Sequence, residues 1–236
     1  MIYERLRNVH LLGGCAVITG DAGIDKTKTI QKYANDNTST IVITADVFNH
    51  TANDMLCLIG EQLGINKTSP RCIKNAVFAK LHSNMLLIVD EAQELNYKAA
   101  NALCSIPDKF ERQRKIMGLA FVGNPCFYDM FDGRYADDRV QVSSRFVTEQ
   151  NLKANQILFD DTKLLYPPLT QQNMIKELMF LYIIATNPSL GQRKALYIFK
   201  NAYNCGKYDL DTLAEETKKA RLHFENLNKI LEELKK

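Results

Sequence analysis

The sequence predicts an α/β fold with a parallel sheet, followed by a small all-helical region. Three observations carry this. Apolar runs alternate with helical patterns through the first half of the chain, as in consecutive βαβ units. Runs such as Met85-Leu86-Leu87-Ile88-Val89 are apolar at every position, the mark of strands covered on both faces. After the breaker Tyr166-Pro167-Pro168 only helical periodicities remain.

In order, Gly14–Thr19 reads as a buried strand, Thr27–Tyr33 as a helix and Thr40–Thr44 as a second strand. Asn53–Leu63 is helical, with Met55, Leu58, Ile59 and Leu63 on one face, and Cys72–Leu81 is another helix. Met85–Val89 is the third strand, Tyr97–Ile106 a helix ending before Pro107, and Met117–Val122 the fourth strand. Val140-Gln141-Val142 reads as a helix end or a short strand. Helices follow over Thr170–Ala185, Gly191–Tyr203 and Leu213–Lys236. The expected division is a core over 1–163, a helical lid over 164–210 and a C-terminal helix over 211–236. That last helix carries Leu213, Thr217, Ala220, Phe224, Leu227, Leu231 and Leu234 in alternating steps of four and three, a heptad seam. The seam fits packing on its own domain or docking of a partner.

Composition narrows the function classes. The 236 residues carry 30 Lys and Arg against 27 Asp and Glu, a net charge of +3, so nucleic-acid contact has to come from local patches. The six cysteines form no C-x-x-C pair and the four histidines lie apart, which argues against a zinc site or disulfide framework and for buried, reduced thiols. The longest apolar run, Leu178–Ala185, falls short of a membrane span, and the N-terminus lacks a signal-peptide core. The expected location is cytoplasmic, without membrane contact.

Two motifs carry most of the chemistry. Gly20-Asp21-Ala22-Gly23-Ile24-Asp25-Lys26-Thr27 follows a strand and opens a helix, the setting of a phosphate-binding loop. Its backbone N–H groups and the helix N-terminus would cradle phosphates, Lys26 would reach the outer phosphates, and the Thr27 hydroxyl would hold Mg²⁺. The pattern departs at Asp25, where glycine is usual and where a carboxylate repels phosphate; the neighbouring Lys28 is a candidate to compensate. Downstream, Leu86-Leu87-Ile88-Val89-Asp90-Glu91 ends an apolar strand in two carboxylates, with Asp90 suited to Mg²⁺ and Glu91 to polarising a water.

Three weaker signals complete the set. Val122-Gly123-Asn124 ends the next strand in an amide placed to meet a γ-phosphate or water. Ser143-Ser144-Arg145-Phe146 offers an arginine able to reach a neighbouring subunit's nucleotide, with Arg134 and Arg139 as rivals. Gly191-Gln192-Arg193 opens a helix whose arginine could fold onto the nucleotide.

In this order the motifs resemble the AAA+ ATPases over about residues 5–205. Val89-Asp90-Glu91-Ala92-Gln93-Glu94-Leu95 and the strand ending in Gly123-Asn124 look most like the branch that holds the phage Mu transposition protein B and other transposon target-selection ATPases. The resemblance implies an AAA+ α/β core with a helical lid, and ATP and Mg²⁺ as cofactors. It implies Lys26, Thr27 and Arg193 for the nucleotide, Asp90 for the metal and Glu91 as base. Asn124 would be the phosphate sensor and Arg145 the finger acting in trans. It also implies self-association into a ring or helical filament, a transposase partner and non-specific duplex DNA.

A counterpart of the Mu protein's separate N-terminal DNA-binding domain is not expected here, so DNA contact is expected from the core. Lys67, Arg71 and Lys74 form one basic cluster, and Lys109, Arg112, Arg114 and Lys115 another. No aromatic ladder accompanies them. Two other readings stand beside this one: a nucleotide-binding scaffold whose turnover Asp25 has spoiled, and a secretion-type ATPase of the same branch that does not bind DNA.

Overall fold

The computed structural model describes residues 2–65, 69–131, 143–153, 156, 158–187, 190–220 and 227–235. Lys67, Arg134, Arg139, Val140–Val142 and Phe224 lie outside them. Contacts divide the chain into two units, one of residues 1–20 with 26–151, the other of 21–25 with 152–236. The division falls at Asn151/Leu152, where the sequence suggested 163/164. The tip of the phosphate loop belongs to the second unit, and so does everything from 211 onward.

The first unit is a sheet between two helical layers. Its strands are β1 (Gly14–Gly20), β2 (Thr40–Thr44), β3 (Met85–Asp90), β4 (Met117–Gly123) and β5 (Phe146–Leu152), in the order β2-β3-β4-β1-β5. The β1/β4, β2/β3 and β3/β4 pairs are parallel. Strands β3 and β4 are buried at every position, as their unbroken apolar sequence requires. Helices α1 (Ile2–Leu12) and α2 (Lys26–Asp36) pack together and against the sheet. The helices α3 (Ala52–Gln62), α4 (Pro70–Lys80) and α5 (Tyr97–Arg112) form the other layer, with α3 and α5 on the sheet. Their core joins Met55, Ile59, Val77 and Leu103 to Val17, Leu87 and Phe121.

Helix α3 starts where its chemistry dictates. Thr51 caps it, taking a hydrogen bond from the Asp54 N–H, and the Asp54 carboxylate accepts in return from the Thr51 N–H at 2.9 Å. Helix α5 runs past the expected stop at Pro107 to Arg112. Pro107 removes one backbone bond, at a cost of about 3 kcal/mol. Ile106 and Phe110, both in the core, offset it at about 1.5–3 kcal/mol each.

The second unit is helical: α6 (Phe159–Leu165), α7 (Pro167–Gln171), α8 (Ile175–Thr186), α9 (Gly191–Asn204), α10 (Leu210–Lys219) and α11 (Leu227–Lys235). The expected helix over 170–185 is two, separated at Asn173, whose φ of 54° is left-handed. Of the expected C-terminal helix, α10 and α11 are helical, and residues 221–226 lie outside the described residues. Seam residues Leu213 and Thr217 are buried, while Leu227, Leu231 and Leu234 pack on the core built from α8, α9 and α10. The seam therefore serves its own domain. Among the described residues no helix is long and apolar enough to cross a membrane. Cys15 and Cys104 are buried, but Cys72, Cys126 and Cys205 are exposed, which corrects the expectation of six buried thiols.

Candidate functional site

Parallel pairing brings the carboxyl ends of β1, β3 and β4 to one edge of the sheet, the edge where open α/β sheets bind ligands. Gly20 ends β1, Asp90 ends β3, and Asn124 follows β4. In the first unit these ends are tied by hydrogen bonds that close on themselves. Lys26, only 8% exposed, donates from Nζ to the Gly20 carbonyl at 2.7 Å and to Asn124 Oδ1 at 3.3 Å. The Asn124 N–H donates to Gln93 Oε1 at 2.9 Å, and Gln93 Nε2 donates to Glu91 Oε2 at 2.7 Å. The Glu91 N–H donates to Asp90 Oδ1 at 3.0 Å, and Thr27 Oγ1 donates to Asp90 Oδ2 at 2.8 Å. Lys26 and Thr27 are neighbours in the chain, so the circuit is complete.

Asp90 is 4% exposed, and burial pushes its carboxyl above the usual carboxylate range. The Thr27 hydroxyl, the Glu91 N–H and the Lys26 charge offset part of that. A hydroxyl and a buried carboxylate side by side are hard oxygen donors and fit a small divalent cation such as Mg²⁺. Among the described residues no group of three or more His, Cys, Asp or Glu could hold a metal alone. A cation here would have to take its remaining ligands from phosphate or water. Glu91 has a φ of 52°. That conformation costs a non-glycine residue, and its hydrogen bonds to Asp90 and Gln93 hold it there.

The loop tip is built in the second unit. Asp25 has a φ of 58°, the left-handed conformation that a glycine would adopt freely and that Asp tolerates better than most residues. Gly23, at φ 84°, lies so close to α9 that a Cβ on it would sit 3.5 Å from the backbone nitrogens of Gln192 and Arg193. A Cβ on Gly191 would stand 3.1 Å from the Ala22 carbonyl. The start of α9 thus abuts the loop tip, and the exposed Arg193 side chain emerges beside it. The Asp21 N–H bonds the Leu152 carbonyl at 3.0 Å. In the first unit, Thr27 and Lys28 are exposed on the first turn of α2.

Arg145 is held by its own chain. It donates to Asn101 Oδ1 at 2.9 Å and pairs with Asp108 at 3.6 Å, both on α5, with a third of its side chain exposed. It lines a cavity of about 490 Å³ together with Arg114 and Lys115. The other basic residues group differently from their order in sequence. Lys74 of α4 and Lys109 of α5 line one small cavity of about 230 Å³, and Lys109 sits over the Phe78 ring at 4.0 Å. Arg71 and Arg112 are exposed on the same two helices. Gln93 was not singled out from sequence, although it stands in the Asp90-Glu91-Ala92-Gln93 phrase that carried the resemblance.

Comparison with known proteins decides the family. A family model described as an AAA domain matches residues 10–131, just over half of the chain. The chain belongs to the AAA domain family. The chain is 28% identical over 135 residues to the Mu-like prophage FluMu DNA transposition protein B of Haemophilus influenzae. That match covers 56% of the chain and 45% of the relative, so the chain matches less than half of the relative's length.

Solved structures share the fold at low identity. They include the Aeropyrum pernix ORC1 protein in complex with DNA, with a TM-score of 0.63 at 14% identity over 93% of this chain and 64% of that one. The ADP form of Aeropyrum pernix ORC2 gives 0.58 at 17% over 92% and 66%. The Thermotoga maritima RuvB Holliday junction branch migration motor gives 0.56 at 12% over 92% and 67%. The expected fold class, a parallel α/β AAA+ core with a helical C-terminal region, is the one observed.

Proposed function

We propose that this AAA domain binds and hydrolyses ATP with Mg²⁺, and that in the ATP state it assembles on duplex DNA without sequence preference to serve a transposase. The closed circuit of Lys26, Thr27, Asp90, Glu91, Gln93 and Asn124 is the observation that carries the nucleotide part. Lys26 would neutralise the outer phosphates, Asn124 would meet the γ-phosphate, and Glu91 would take the proton of the attacking water. Thr27 and Asp90 would hold Mg²⁺, which supplies charge neutralisation between the phosphates. Arg193 would reach the nucleotide from α9. Arg145 would serve a neighbouring subunit after leaving Asn101 and Asp108. Such a one-to-the-next contact is heterologous and builds rings or helical filaments.

The transposition relative supports the DNA and transposase parts. Lys74 and Lys109, with Arg71, Arg112 and Lys67, offer cations for the phosphate backbone, a contact that reads no sequence. Arg114 and Lys115 lie by Arg145 and are the second basic group. A cytoplasmic location accords with this reading.

The scaffold alternative draws its support from Asp25, whose carboxylate occupies the left-handed position of the loop. Steady-state phosphate release, with and without duplex DNA, separates the two. Turnover that Glu91→Gln abolishes supports the ATPase; tight ATP binding with no turnover in either protein supports the scaffold.

A further inference from the structure

We propose that Gln93 is a positioning residue that couples the end of β4 to Glu91 and so sets the rate of hydrolysis; this rests on the ATPase reading above. The orientation of its amide follows from its partners. The Asn124 backbone N–H can only donate, so the oxygen of Gln93 faces it, and the amide nitrogen is left for Glu91. Glu91 is thereby held through Oε2, and its rotation about the last side-chain bond is fixed. Its other oxygen, Oε1, is left to meet a water.

The same Asn124 carries both ends of the coupling. Its side chain takes the Lys26 ammonium at 3.3 Å, and its backbone N–H holds Gln93. A movement of the loop after β4 on meeting a γ-phosphate is passed through one rigid amide to the base. Gly123 preserves the space this needs. A Cβ there would collide with Gln93 Oε1 and stand 3.1 Å from the Ala92 nitrogen. Gln93 itself is only partly buried, and it closes no apolar core cluster. Its two hydrogen bonds, not its volume, connect it to the fold.

Two variants separate coupling from packing. Gln93→Met keeps the size and removes both bonds. Gln93→Glu keeps an acceptor for the Asn124 N–H and removes the donor to Glu91. Both are compared with the parent in single-turnover and steady-state hydrolysis, in equilibrium binding of a fluorescent ATP analogue, and in thermal melting. Positioning errors of this kind cost about 10- to 100-fold in rate. We expect kcat to fall by that factor in both variants, with KM and analogue affinity changed by less than about threefold. In a Glu91→Asp background, whose shorter side chain withdraws the carboxylate from the Gln93 amide and leaves a weakened base, Gln93→Met should cause no further loss, since its effect passes through Glu91. Parental kcat in Gln93→Glu overturns the proposal. So does an equal loss from Gln93→Met in both backgrounds. If parent and Glu91→Gln hydrolyse at the same rate, the ATPase reading itself fails, and the coupling falls with it.

Discussion

Replacing Asp90 by asparagine should stabilise the protein without nucleotide and weaken it relative to the parent once nucleotide is present. Asp90 is 4% exposed, and burial is the largest influence on its carboxyl, raising the pKa in the folded state. An acid whose folded pKa is raised opposes folding when ionised. Parental stability therefore falls as pH rises from the unfolded carboxylate value, about 4, through the folded one. The amide abolishes that slope. It also keeps both hydrogen bonds: its oxygen can accept from the Glu91 N–H, and its nitrogen can donate to Thr27 Oγ1, because a hydroxyl rotates to accept. Burial raises the carboxyl even against the Lys26 charge, so the neutral amide gains about 1.4 kcal/mol for each unit of that rise. At this chain length each kcal/mol raises the melting temperature by roughly 2–4 °C. Saturating Mg²⁺–ADP, at about 100 times its Kd, adds roughly 2.7 kcal/mol to the parent alone, so the order of melting reverses. Calorimetric melts from pH 4 to pH 8, with and without Mg²⁺–ADP, read both effects. An apo variant that melts below the parent at neutral pH would show that the Asp90 charge stabilises the fold, and equal nucleotide shifts in the two proteins would remove Asp90 from the nucleotide site.

Asp25→Asn keeps a residue that tolerates φ 58° and removes the charge. It should tighten ADP binding roughly fivefold, from about 1 kcal/mol of relieved repulsion across several ångströms; titration of a fluorescent analogue that shows weaker binding would instead assign the carboxylate a favourable contact. Lys74→Gln and Lys109→Gln should each lower DNA affinity and reduce the slope of log K against log salt by about 0.9; anisotropy at several salt concentrations checks this, and an unchanged slope removes these lysines from the interface. The Asp54 carboxyl is held below its usual range, first by the Thr51 hydroxyl and then by the Thr51 N–H. Its contribution to stability is present above the unfolded carboxylate value and is lost as pH falls through the folded one. Asp54→Asn should therefore flatten the acid limb of a pH–stability curve, and an unaltered limb contradicts the capping role.

The first four strands were legible because each carries an unbroken apolar run, and three of them lead to a residue with chemistry: Gly20 ending β1, Asp90 ending β3, and Asn124 just after β4. Helix α1 left its mark too, with Ile2, Leu6 and Val9 buried at steps of four and three, but so short a pattern competes with irregular structure. Strand β5 was not legible. Phe146–Leu152 is half exposed, and its polar residues carry no strand propensity strong enough to stand out. The circuit through Gln93 was out of reach for another reason. Its two partners are two residues before it and thirty-one after, and only the β3/β4 register brings them together.

ATP-dependent assembly on DNA is read by mixing the protein with random-sequence duplex DNA in ATP, in ADP and without nucleotide, and imaging each mixture by negative stain. DNA coated by rings or filaments is expected in ATP, and bare DNA in the other two. Bare DNA in all three mixtures, with the protein monomeric throughout, would contradict that expectation.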